Sequence, residues 1–287
     1  MNEAAQTIAE MIRHRLDLLT PTERKAALVL LGNYPVPGLQ TVAQFAKQAM
    51  VSNPTILRLI AKLGFSAYAD FQRCLRGELE ARLRSPLTKE IPVSPTSVGE
   101  TADFISTYWR SVMAAMEASL KGLSVAEFEG AVALLSDNRR PVMILGGRLS
   151  TSLATQLYLH LRELRSDVQL INGQTASWAE YLLDVTPAHT LIVFDIRRYQ
   201  EDIIRFGQEA VRRGARLILV TDEWLSPLAA VARQVLAVRT AVNSHWDSFA
   251  PVSSVVEAII AQISTDRWRA VRERVEELEG IRRNVTL

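Results

Sequence analysis

Residues 41–65 have the sequence TVAQFAKQAMVSNPTILRLIAKLGF, in which apolar residues recur every three or four positions in two runs. Such spacing is typical of two short helices, each with one buried face. The first run comprises Val42, Phe45, Ala46 and Ala49, and the second comprises Ile56, Leu59, Ile60 and Leu63. Between the two runs, Ser52 and Asn53 can cap the second helix, and Pro54 fits its first turn. Gly64 follows the second run and suits the end of that helix. The segment predicts two helices that cross steeply, as in a helix-turn-helix.

The predicted second helix has an outer face of hydroxyl, amide and cationic groups, which are the groups that bind base edges and phosphates. We predict that five residues contact a double-stranded DNA operator: Ser52, Asn53, Thr55, Arg58 and Lys62. We expect Arg58 to contact a base or a phosphate, and Lys62 to contact a phosphate. A helical hairpin with a polar outer face is the alternative, because helix-turn-helix patterns are only moderately specific.

The regions around this segment are also helical in pattern. Residues 2–19 form one amphipathic stretch, and a capping box with Thr20 and Glu23 opens a second helix through Leu31. Residues 34–38, YPVPG, predict a turn, and residues 66–84 predict another helix. Together with the two helices above, these features predict an all-α DNA-binding domain over residues 1–84.

Charge is unevenly distributed along the chain. The 287 residues have a net charge of +2, but residues 1–90 contain 12 Lys and Arg against 8 Asp and Glu. The remaining residues contain 21 against 23. The basic excess therefore lies where the helix-turn-helix is predicted, which favours a polyanionic partner for that part.

The composition indicates a globular chain long enough for two domains, with 48% hydrophobic and 22% charged residues. No apolar run reaches the roughly eighteen residues of a membrane span, and residues 1–16 lack the core of a signal peptide. We therefore expect a cytoplasmic protein with no membrane partner. The single Cys74 excludes an internal disulfide, and the four scattered histidines have no metal-ligand spacing. We predict neither a metal nor another cofactor.

Residues 85–99, SPLTKEIPVSPTSVG, contain three prolines and three serines without sustained periodicity, and predict a linker. The third part of the chain, residues 100–287, begins with a predicted helix over residues 100–120. A second capping box, Ser124 with Glu127, opens a helix that runs to Leu135.

Short β-rich runs then alternate with helical stretches. The strands are predicted at 142–145, 168–171, 190–195, 216–220 and 235–238, and the helices at 150–164, 176–183, 199–213, 226–233, 252–263 and 268–278. Continuous apolar strands with helical crossovers imply a parallel sheet covered on both faces. We predict a five-stranded doubly wound α/β sheet in the order 2-1-3-4-5.

In such a sheet a ligand crevice opens at the carboxyl ends of strands 1 and 3. The loop after strand 1 is GGRLSTS, residues 146–152, and its amides can cradle an anion. The loop after strand 3 is DIRRYQ, residues 195–200, and adds two guanidinium groups. The predicted ligand-binding residues are Gly146, Gly147, Arg148, Ser150, Thr151, Ser152, Arg197 and Arg198. The alternative is that Arg197 or Arg198 pairs with Asp195 or another acid in a structural bridge.

Three other features of this region bear on the crevice. Tyr199 is expected to form a wall of the crevice, and Ser226 is expected to cap the helix that follows it. Residues 245–248, HWDS, could reach the crevice or a subunit partner. His245 and Asp247 do not suffice for a catalytic dyad, because the sequence places no nucleophile beside them. We therefore predict no catalytic residue.

The order of these segments resembles that of RpiR-type transcriptional regulators. The resemblance is carried by VSNPTILRLIAKLGFSAYADFQ at 51–72, by G-x-x-x-S after strand 1, and by RGARLILVTDEWLSPLA at 213–229. It implies a C-terminal sugar-isomerase (SIS) domain that senses a metabolite, typically a phosphorylated sugar. It also implies a cytoplasmic regulator of catabolic genes that forms a homodimer or homotetramer.

Two departures from that family pattern affect the expected ligand. Arg148 replaces the second glycine of the usual G-x-G-x-S, and DIRRYQ replaces the usual S-x-S-G-x-T phosphate loop. The phosphosugar expectation therefore rests on Ser150, Thr151 and Ser152 alone. We hypothesise a small anionic effector, a phosphosugar or an organic acid, that the arginines of the two loops hold.

Two functions remain open at this stage, a metabolite-responsive DNA-binding regulator and a sugar-phosphate isomerase. An isomerase needs a general base beside a phosphate cradle, and neither loop supplies that set. The sequence therefore favours the regulator, which is not an enzyme. Because half-sites lie about 34 Å apart, an effector that shifts the sheet domains within a dimer could set the spacing of two DNA-binding units.

Overall fold

The computed structural model describes residues 7–83 and 101–285. Its N-terminal part consists of helices α1 (Ile8–Arg15), α2 (Pro21–Gly32), α3 (Val36–Leu39), α4 (Val42–Ala49), α5 (Asn53–Lys62) and α6 (Tyr68–Leu83). A 3₁₀ turn, Leu16–Leu18, follows α1 directly. The predicted linker, residues 85–99, and the first residues of the predicted N-terminal helix lie outside the described residues.

Three of these helices begin at a threonine with a complete capping box. Thr7, Thr20 and Thr41 each accept a hydrogen bond from the amide three residues later, and the side chain of that later residue accepts one from the threonine amide. The capping box predicted at Thr20 is thus confirmed. Each box satisfies two amides that a helix terminus leaves without a partner, which sets where α1, α2 and α4 begin.

Helices α4 and α5 form the predicted helix-turn-helix. Met50 adopts a left-handed conformation with φ 51°, and Gly64 ends the unit with φ 98°, as predicted for a left-handed cap. Phe45, Ile56 and Leu59 are fully buried, in a core shared with α1, α2 and α6. One prediction in this region is wrong, because residues 34–38 are not only a turn but enter the one-turn helix α3.

The C-terminal part is a parallel sheet with helices on both faces. Its helices are α7 (Thr101–Gly122), α8 (Val125–Ser136), α9 (Thr151–Leu164), α10 (Trp178–Leu183), α11 (Glu201–Arg212), α12 (Ala250–Asp266) and α13 (Trp268–Val285). Its strands are β1 (Val142–Gly146), β2 (Val168–Leu170), β3 (Thr190–Phe194), β4 (Arg216–Asp222) and β5 (Gln234–Val238). All strand pairs are parallel and the order is β2-β1-β3-β4-β5, so the predicted topology is confirmed.

Alternate residues of the strands point to opposite faces of the sheet and belong to two separate hydrophobic cores. Ile144, Ile192 and Ile218 face the core that α8, α9 and α12 cover. Leu145 and Val193 face the opposite core, which α10 and α11 cover. This arrangement leaves the carboxyl ends of β1 and β3 at one open edge, as the doubly wound topology requires.

Two predictions for this region fail in part. The helix expected at 226–233 is only a four-residue 3₁₀ turn, Pro227–Ala230. Ser124 Oγ does accept from the Glu127 amide at 3.4 Å, but the Glu127 carboxylate accepts from the Val235 amide at 2.8 Å instead of completing a capping box. The local pattern assigns the Glu127 carboxylate to the cap, but in the structure it binds the amide of Val235, which lies more than a hundred residues away along the chain.

The first helix of the chain packs against the sheet near the ends of β4 and β5. Thr7 Oγ1 donates to the carbonyl of Glu223 at 3.3 Å, and Arg239 Nη2 donates to Glu10 at 2.7 Å. Ala9 belongs to the same core as α11. No helix among the described residues is both long and apolar enough to cross a bilayer.

Candidate functional site

The outer face of α5 carries most of the residues predicted to contact DNA. Ser52, Asn53, Arg58 and Lys62 are exposed, and Ser52 lies at the N-cap position. The prediction that Thr55 also points outward is wrong, because its side chain is only 4% exposed. Its hydroxyl lies 2.9 Å from Ser52 Oγ and accepts from Arg58 Nη2 at 3.2 Å. Thr55 therefore contacts the side chains of two candidate DNA-binding residues.

Lys62 is held by a carboxylate of the neighbouring helix α2. Its ammonium group donates to Glu23 Oε2 at 2.8 Å, and Glu23 is 2% exposed. Burial is the largest single influence and acts to raise the pKa of Glu23, but the hydrogen bonds from Lys62 and Thr20 and the charge of Lys62 together outweigh it, so the pKa lies below its usual value. Arg58 Nε lies 3.9 Å from the other Glu23 oxygen and its side chain stays 62% exposed. Lys62 thus joins α5 to α2, whereas the guanidinium of Arg58 is more exposed and lies farther from Glu23.

The crevice opens at the carboxyl ends of β1 and β3, where the topology predicts it, and has a volume of about 740 Å³. Fourteen residues line it: Gly147, Arg148, Leu149, Ser150, Ser152, Asp195, Ile196, Arg197, Arg198, Gln200, His245, Trp246, Asp247 and Phe249. Six of the eight predicted ligand-binding residues are among them. Gly146 and Thr151 are not part of the lining, and Tyr199, expected as a wall, is not part of it either.

The loop after β1 is shaped by close backbone packing. A Cβ atom on Gly146 would lie 2.6 Å from the Thr151 Cα, so only glycine fits there. Ser150 Oγ accepts from the Gly147 amide at 2.9 Å and donates to the Phe194 carbonyl at 2.7 Å. Ser150 therefore joins the loop after β1 to the end of β3, and its hydroxyl already has these two partners.

Gln200, which the sequence analysis did not single out, lies across the mouth of this loop. Its Oε1 accepts from the Arg148 amide at 2.5 Å and lies 2.6 Å from the position of a Cβ on Gly147. The amides of Leu149 and Ser150 have no hydrogen-bond partner among the described residues. They precede the first turn of α9, where backbone amides and the helix dipole favour an anion.

The two arginines after β3 have different surroundings. Arg197 donates twice from Nη1 to the Asp247 carboxylate, with both distances 3.0 Å, and both side chains are largely buried. The structural bridge weighed as the alternative for this loop therefore exists at Arg197, with Asp247 as an acid that accepts from it. Arg198 is exposed and adopts a left-handed φ of 65°, and like Arg148 it has no ion pair among the described residues.

Buried polar groups beside the crevice hold the strand ends together. Asp195 accepts from Ser226 Oγ at 2.5 Å, and Ser226 also caps its 3₁₀ turn as predicted. Asp222 accepts from Tyr199 Oη at 2.5 Å and from the Arg197 amide at 2.7 Å. Burial raises the pKa of Asp222. These carboxylates are already used by the protein and serve to position the loop after β3.

The residue after Asp222 faces the N-terminal helices. Glu223 is 3% exposed, and burial together with the neighbouring Asp222 charge raises its pKa to about 7. Its Oε2 accepts from the Thr240 amide at 3.4 Å, and its carbonyl accepts from Thr7. At the end of β4, Asp222 therefore contacts the loop after β3, and the adjacent Glu223 contacts the start of helix α1.

Comparison with known proteins agrees with this arrangement. Residues 6–82 match the model of the helix-turn-helix domain of the rpiR family, and residues 134–262 match that of the SIS domain. The chain belongs to the RpiR family. The order of the two domains is the one that the motifs of residues 51–72 and 213–229 indicate.

One curated relative is much longer than the region that this chain matches. The Bifunctional protein glk of Burkholderia orbicola is 31% identical over 141 residues, which are 48% of this chain and 21% of that protein. The chain thus matches about a fifth of the length of this curated relative.

Two solved structures share the fold. The sugar isomerase domain of the RpiR transcription factor from Sphaerobacter thermophilus is 21% identical with a TM-score of 0.56, and covers 61% of this chain and 97% of its own. The Vibrio vulnificus NanR protein complexed with ManNAc-6P is 15% identical with a TM-score of 0.53, and covers 97% of this chain and 98% of its own. The second match extends the likeness in fold over both parts of the chain.

Proposed function

We propose that this protein is a transcriptional regulator that binds operator DNA through α5 and responds to a small anion bound in the crevice. One observation carries the proposal: a single chain joins an exposed recognition-type helix to a crevice that displays two guanidinium groups, Arg148 and Arg198, without carboxylate partners among the described residues. Cations left without a partner at the mouth of a cleft attract anions.

For DNA, the exposed face of α5 supports major-groove binding by Asn53 and Arg58. Ser52 lies at the helix N-terminus, where a hydroxyl and free amides suit a phosphate. Lys62 remains in the proposed contact set, although its ion pair with Glu23 makes it the weaker candidate. Thr55 acts through Ser52 and Arg58, which its hydroxyl contacts.

For the effector, the anion would lie between Arg148 and Arg198, above the amides of Leu149 and Ser150. Trp246 is exposed at the same crevice and offers an apolar face to the rest of the ligand. The Vibrio vulnificus protein, bound to ManNAc-6P, supports a phosphorylated sugar as one member of this class. An organic acid is also negatively charged, so the proposed effector is a small anion of either kind. The proposed targets of regulation are catabolic genes.

Thermal shift with a panel of sugar phosphates and organic acids tests the effector site. At a hundredfold excess over Kd, a ligand should add about 2.7 kcal/mol to the free energy of unfolding of the wild type. Arg148→Ala and Arg198→Ala should abolish that gain, whereas Arg233→Ala, an exposed arginine remote from the crevice, should keep it. Equal stabilisation of all three variants would contradict the anion site.

Mobility shift with the promoter fragment beside the gene tests the DNA site. Binding should weaken steeply as salt rises, because bound phosphates release counterions. Arg58→Ala should weaken it more than Arg269→Ala, which removes an exposed arginine of α13. A wild-type protein that binds no genomic fragment at low ionic strength would overturn the proposed function.

A sugar-phosphate isomerase is the second candidate, since it shares the SIS fold. The crevice carboxylates argue against it, because Asp195 is hydrogen-bonded to Ser226 and Asp247 is paired with Arg197. A general base needs a carboxylate or imidazole within reach of the substrate, and His245 is the imidazole of the crevice lining that could serve an isomerase. Turnover of any sugar phosphate, followed by NMR of the sugar carbons, would decide for the enzyme.

The matched spans support the domain limits expected from the sequence: residues 1–84 for DNA binding, 85–99 as linker, and 100–287 for sensing and oligomerisation. A regulator of this kind acts in the cytoplasm and, since operators pair half-sites, as a homodimer or homotetramer. Limited proteolysis that releases a stable fragment beginning near residue 100 would test these limits.

A further inference from the structure

The crevice at the carboxyl ends of β1 and β3 contains large apolar side chains beside its arginines. Four of its fourteen lining residues are of this kind: Leu149, Ile196, Trp246 and Phe249. Leu149 is 54% exposed and Trp246 is 62% exposed. Large apolar groups that stay exposed in a concave site, next to a few polar groups, are typical of a pocket for an organic ligand.

Contacts with the rest of the chain hold this apolar surface in place. Ile196 and Phe249 pack against the core that α8, α9 and α12 cover. Trp246 precedes Asp247, whose carboxylate accepts twice from Arg197 Nη1, so the segment that carries the indole is tied to the loop after β3. The ion pair of Arg197 and Asp247 therefore keeps Trp246 beside the crevice, and the apolar surface is formed before a ligand binds.

The side-chain oxygens that line the crevice already take part in hydrogen bonds within the protein. Four of the five residues that carry them accept a hydrogen bond from another residue: Ser150, Asp195, Gln200 and Asp247. The fifth, Ser152, donates to the Leu149 carbonyl at 2.9 Å. A sugar carries a hydroxyl on most of its carbons, and a hydroxyl that loses water needs a partner in the site. The crevice is therefore poorly matched to a polyhydroxylated ligand.

The cationic part of the crevice matches a carboxylate. Gln200 Oε1 takes the amide of Arg148, which leaves the amides of Leu149 and Ser150 without a hydrogen-bond partner among the described residues. Two amides correspond to the two oxygens of a carboxylate. The exposed guanidinium groups of Arg148 and Arg198 supply the opposite charge and can bind a carboxylate bidentately.

We propose that the effector is an amphiphilic carboxylate with an aromatic or branched aliphatic body. Its carboxylate lies between Arg148 and Arg198. Its apolar body lies against Trp246 and Leu149, in a crevice whose volume of about 740 Å³ holds both parts. An indole can also pack on a sugar ring, but the hydroxyls of that ring would still need partners. The inference rests on the proposed function, of which it names the ligand class.

Isothermal titration calorimetry of the full chain with matched probes tests the ligand class. Phenylacetate and 4-methylpentanoate are the amphiphilic carboxylates, acetate lacks the apolar body, and glucose 6-phosphate carries hydroxyls in its place. We expect one or both amphiphilic carboxylates to bind at least about tenfold more tightly than acetate and glucose 6-phosphate, because they alone bury a large apolar surface. Their binding should also show a negative heat capacity change, which marks that burial.

Trp246→Ala tests the apolar contact, and Trp268→Ala is its matched control. Trp268 is 60% exposed on α13 and does not line the crevice, whereas Trp246 is 62% exposed and does. Trp246→Ala should weaken binding of the amphiphilic carboxylate at least about tenfold and bring the heat capacity change closer to zero. Trp268→Ala should change neither quantity. Thermal unfolding of both variants without ligand verifies that each is folded.

Two kinds of failure can be told apart. Equal or tighter binding of glucose 6-phosphate, or a Trp246→Ala variant that binds the amphiphilic carboxylates as well as the wild type does, would overturn the ligand class and leave the anion site in place. If no probe bound, or if Arg148→Ala left the binding of every probe unchanged, the proposed effector site would fail together with the ligand class.

Discussion

Arg239 Nη2 lies 2.7 Å from Oε2 of Glu10, and this ion pair ties the residue after β5 to the first helix of the DNA-binding part. Glu10 also accepts from the Thr7 amide at 2.8 Å in the capping box of α1. Its carboxylate therefore serves both the start of the helix and the attachment of that helix to the sheet. Burial raises the pKa of Glu78 and of Glu223, and the nearby charge of Arg239 acts against that rise. One guanidinium thus faces three buried carboxyl groups.

Arg239→Ala should loosen this attachment. Removing one partner of a buried pair leaves uncompensated charge, so we expect the free energy of unfolding to fall by about 3 kcal/mol. Amide hydrogen exchange in α1 should accelerate more than exchange in β1, because α1 loses its contact with the sheet. Arg233→Ala, an exposed neighbour in sequence, should change stability by less than about 0.5 kcal/mol. Unchanged protection of α1 would show that the pair does not hold the helix.

Glu223 should make stability depend on pH near neutrality. Its pKa of about 7 in the folded chain lies above the ordinary value of 4.5, because burial and Asp222 disfavour the charged form. The protonated Glu223 therefore makes its full contribution to the free energy of unfolding below about pH 4.5. That contribution is lost as the pH rises through 7. At about 1.4 kcal/mol per pKa unit, the loss is at most on the order of 3 kcal/mol.

Urea unfolding of the wild type and of Glu223→Gln at pH 5.5 and 8.0 measures this effect. The amide keeps the shape of the protonated acid, so the variant should lose less stability than the wild type between the two pH values. Parallel curves for the two proteins would mean that Glu223 is ionised throughout.

The strand order and the helix-turn-helix follow from local rules, and both were predicted. Apolar strands with helical crossovers admit few topologies, and Gly64 ends α5 because a left-handed residue is needed there. Contacts between residues distant in sequence were not predictable in this way. Asp247 lies 50 residues from Arg197, and no period or spacing connects them.

The missed details of the candidate site have the same origin. Helical spacing places Thr55 on the outer face, but its side chain is 4% exposed and its hydroxyl contacts Ser52 and Arg58. Gln200 reaches the loop of Arg148 across 52 residues of sequence. The sequence therefore predicts which loops form the crevice, whereas side-chain partners determine which of their groups remain for a ligand.

Gly146→Ala and Gly147→Ala should differ sharply although the residues are adjacent. A Cβ on Gly146 would lie 2.6 Å from Thr151 Cα and 2.7 Å from the Ser150 carbonyl oxygen, and this backbone cannot move without shifting α9. We expect Gly146→Ala to lower the free energy of unfolding by several kcal/mol, on the order of 3 or more.

On Gly147, the added methyl would meet Oε1 of Gln200, which is the end of a flexible side chain. Gly147→Ala should therefore cost about 1 kcal/mol or less and displace Gln200 from the Arg148 amide. Thermal unfolding of both variants provides the test. Similar melting temperatures for the two would indicate that the loop after β1 is not packed as described.

Arg58 and Lys62 lie four residues apart on α5 but should respond differently to truncation. Arg58→Ala should reduce operator affinity by about 1–3 kcal/mol if it reads a base, with little change in stability, because its side chain is 62% exposed. Lys62→Ala should also lower the free energy of unfolding, by about 1–2 kcal/mol, since Glu23 loses its closest cation.

The pKa of Glu23 is lowered in the folded chain, so the destabilisation by Lys62→Ala should be largest above the pKa of an ordinary glutamate and should fade as pH falls below it. Fluorescence anisotropy with a labelled operator, beside urea unfolding at pH 7 and pH 4, separates the two roles. If Lys62→Ala weakened DNA binding without changing stability at pH 7, its ammonium would have to be assigned to a phosphate and not to the junction of α2 and α5.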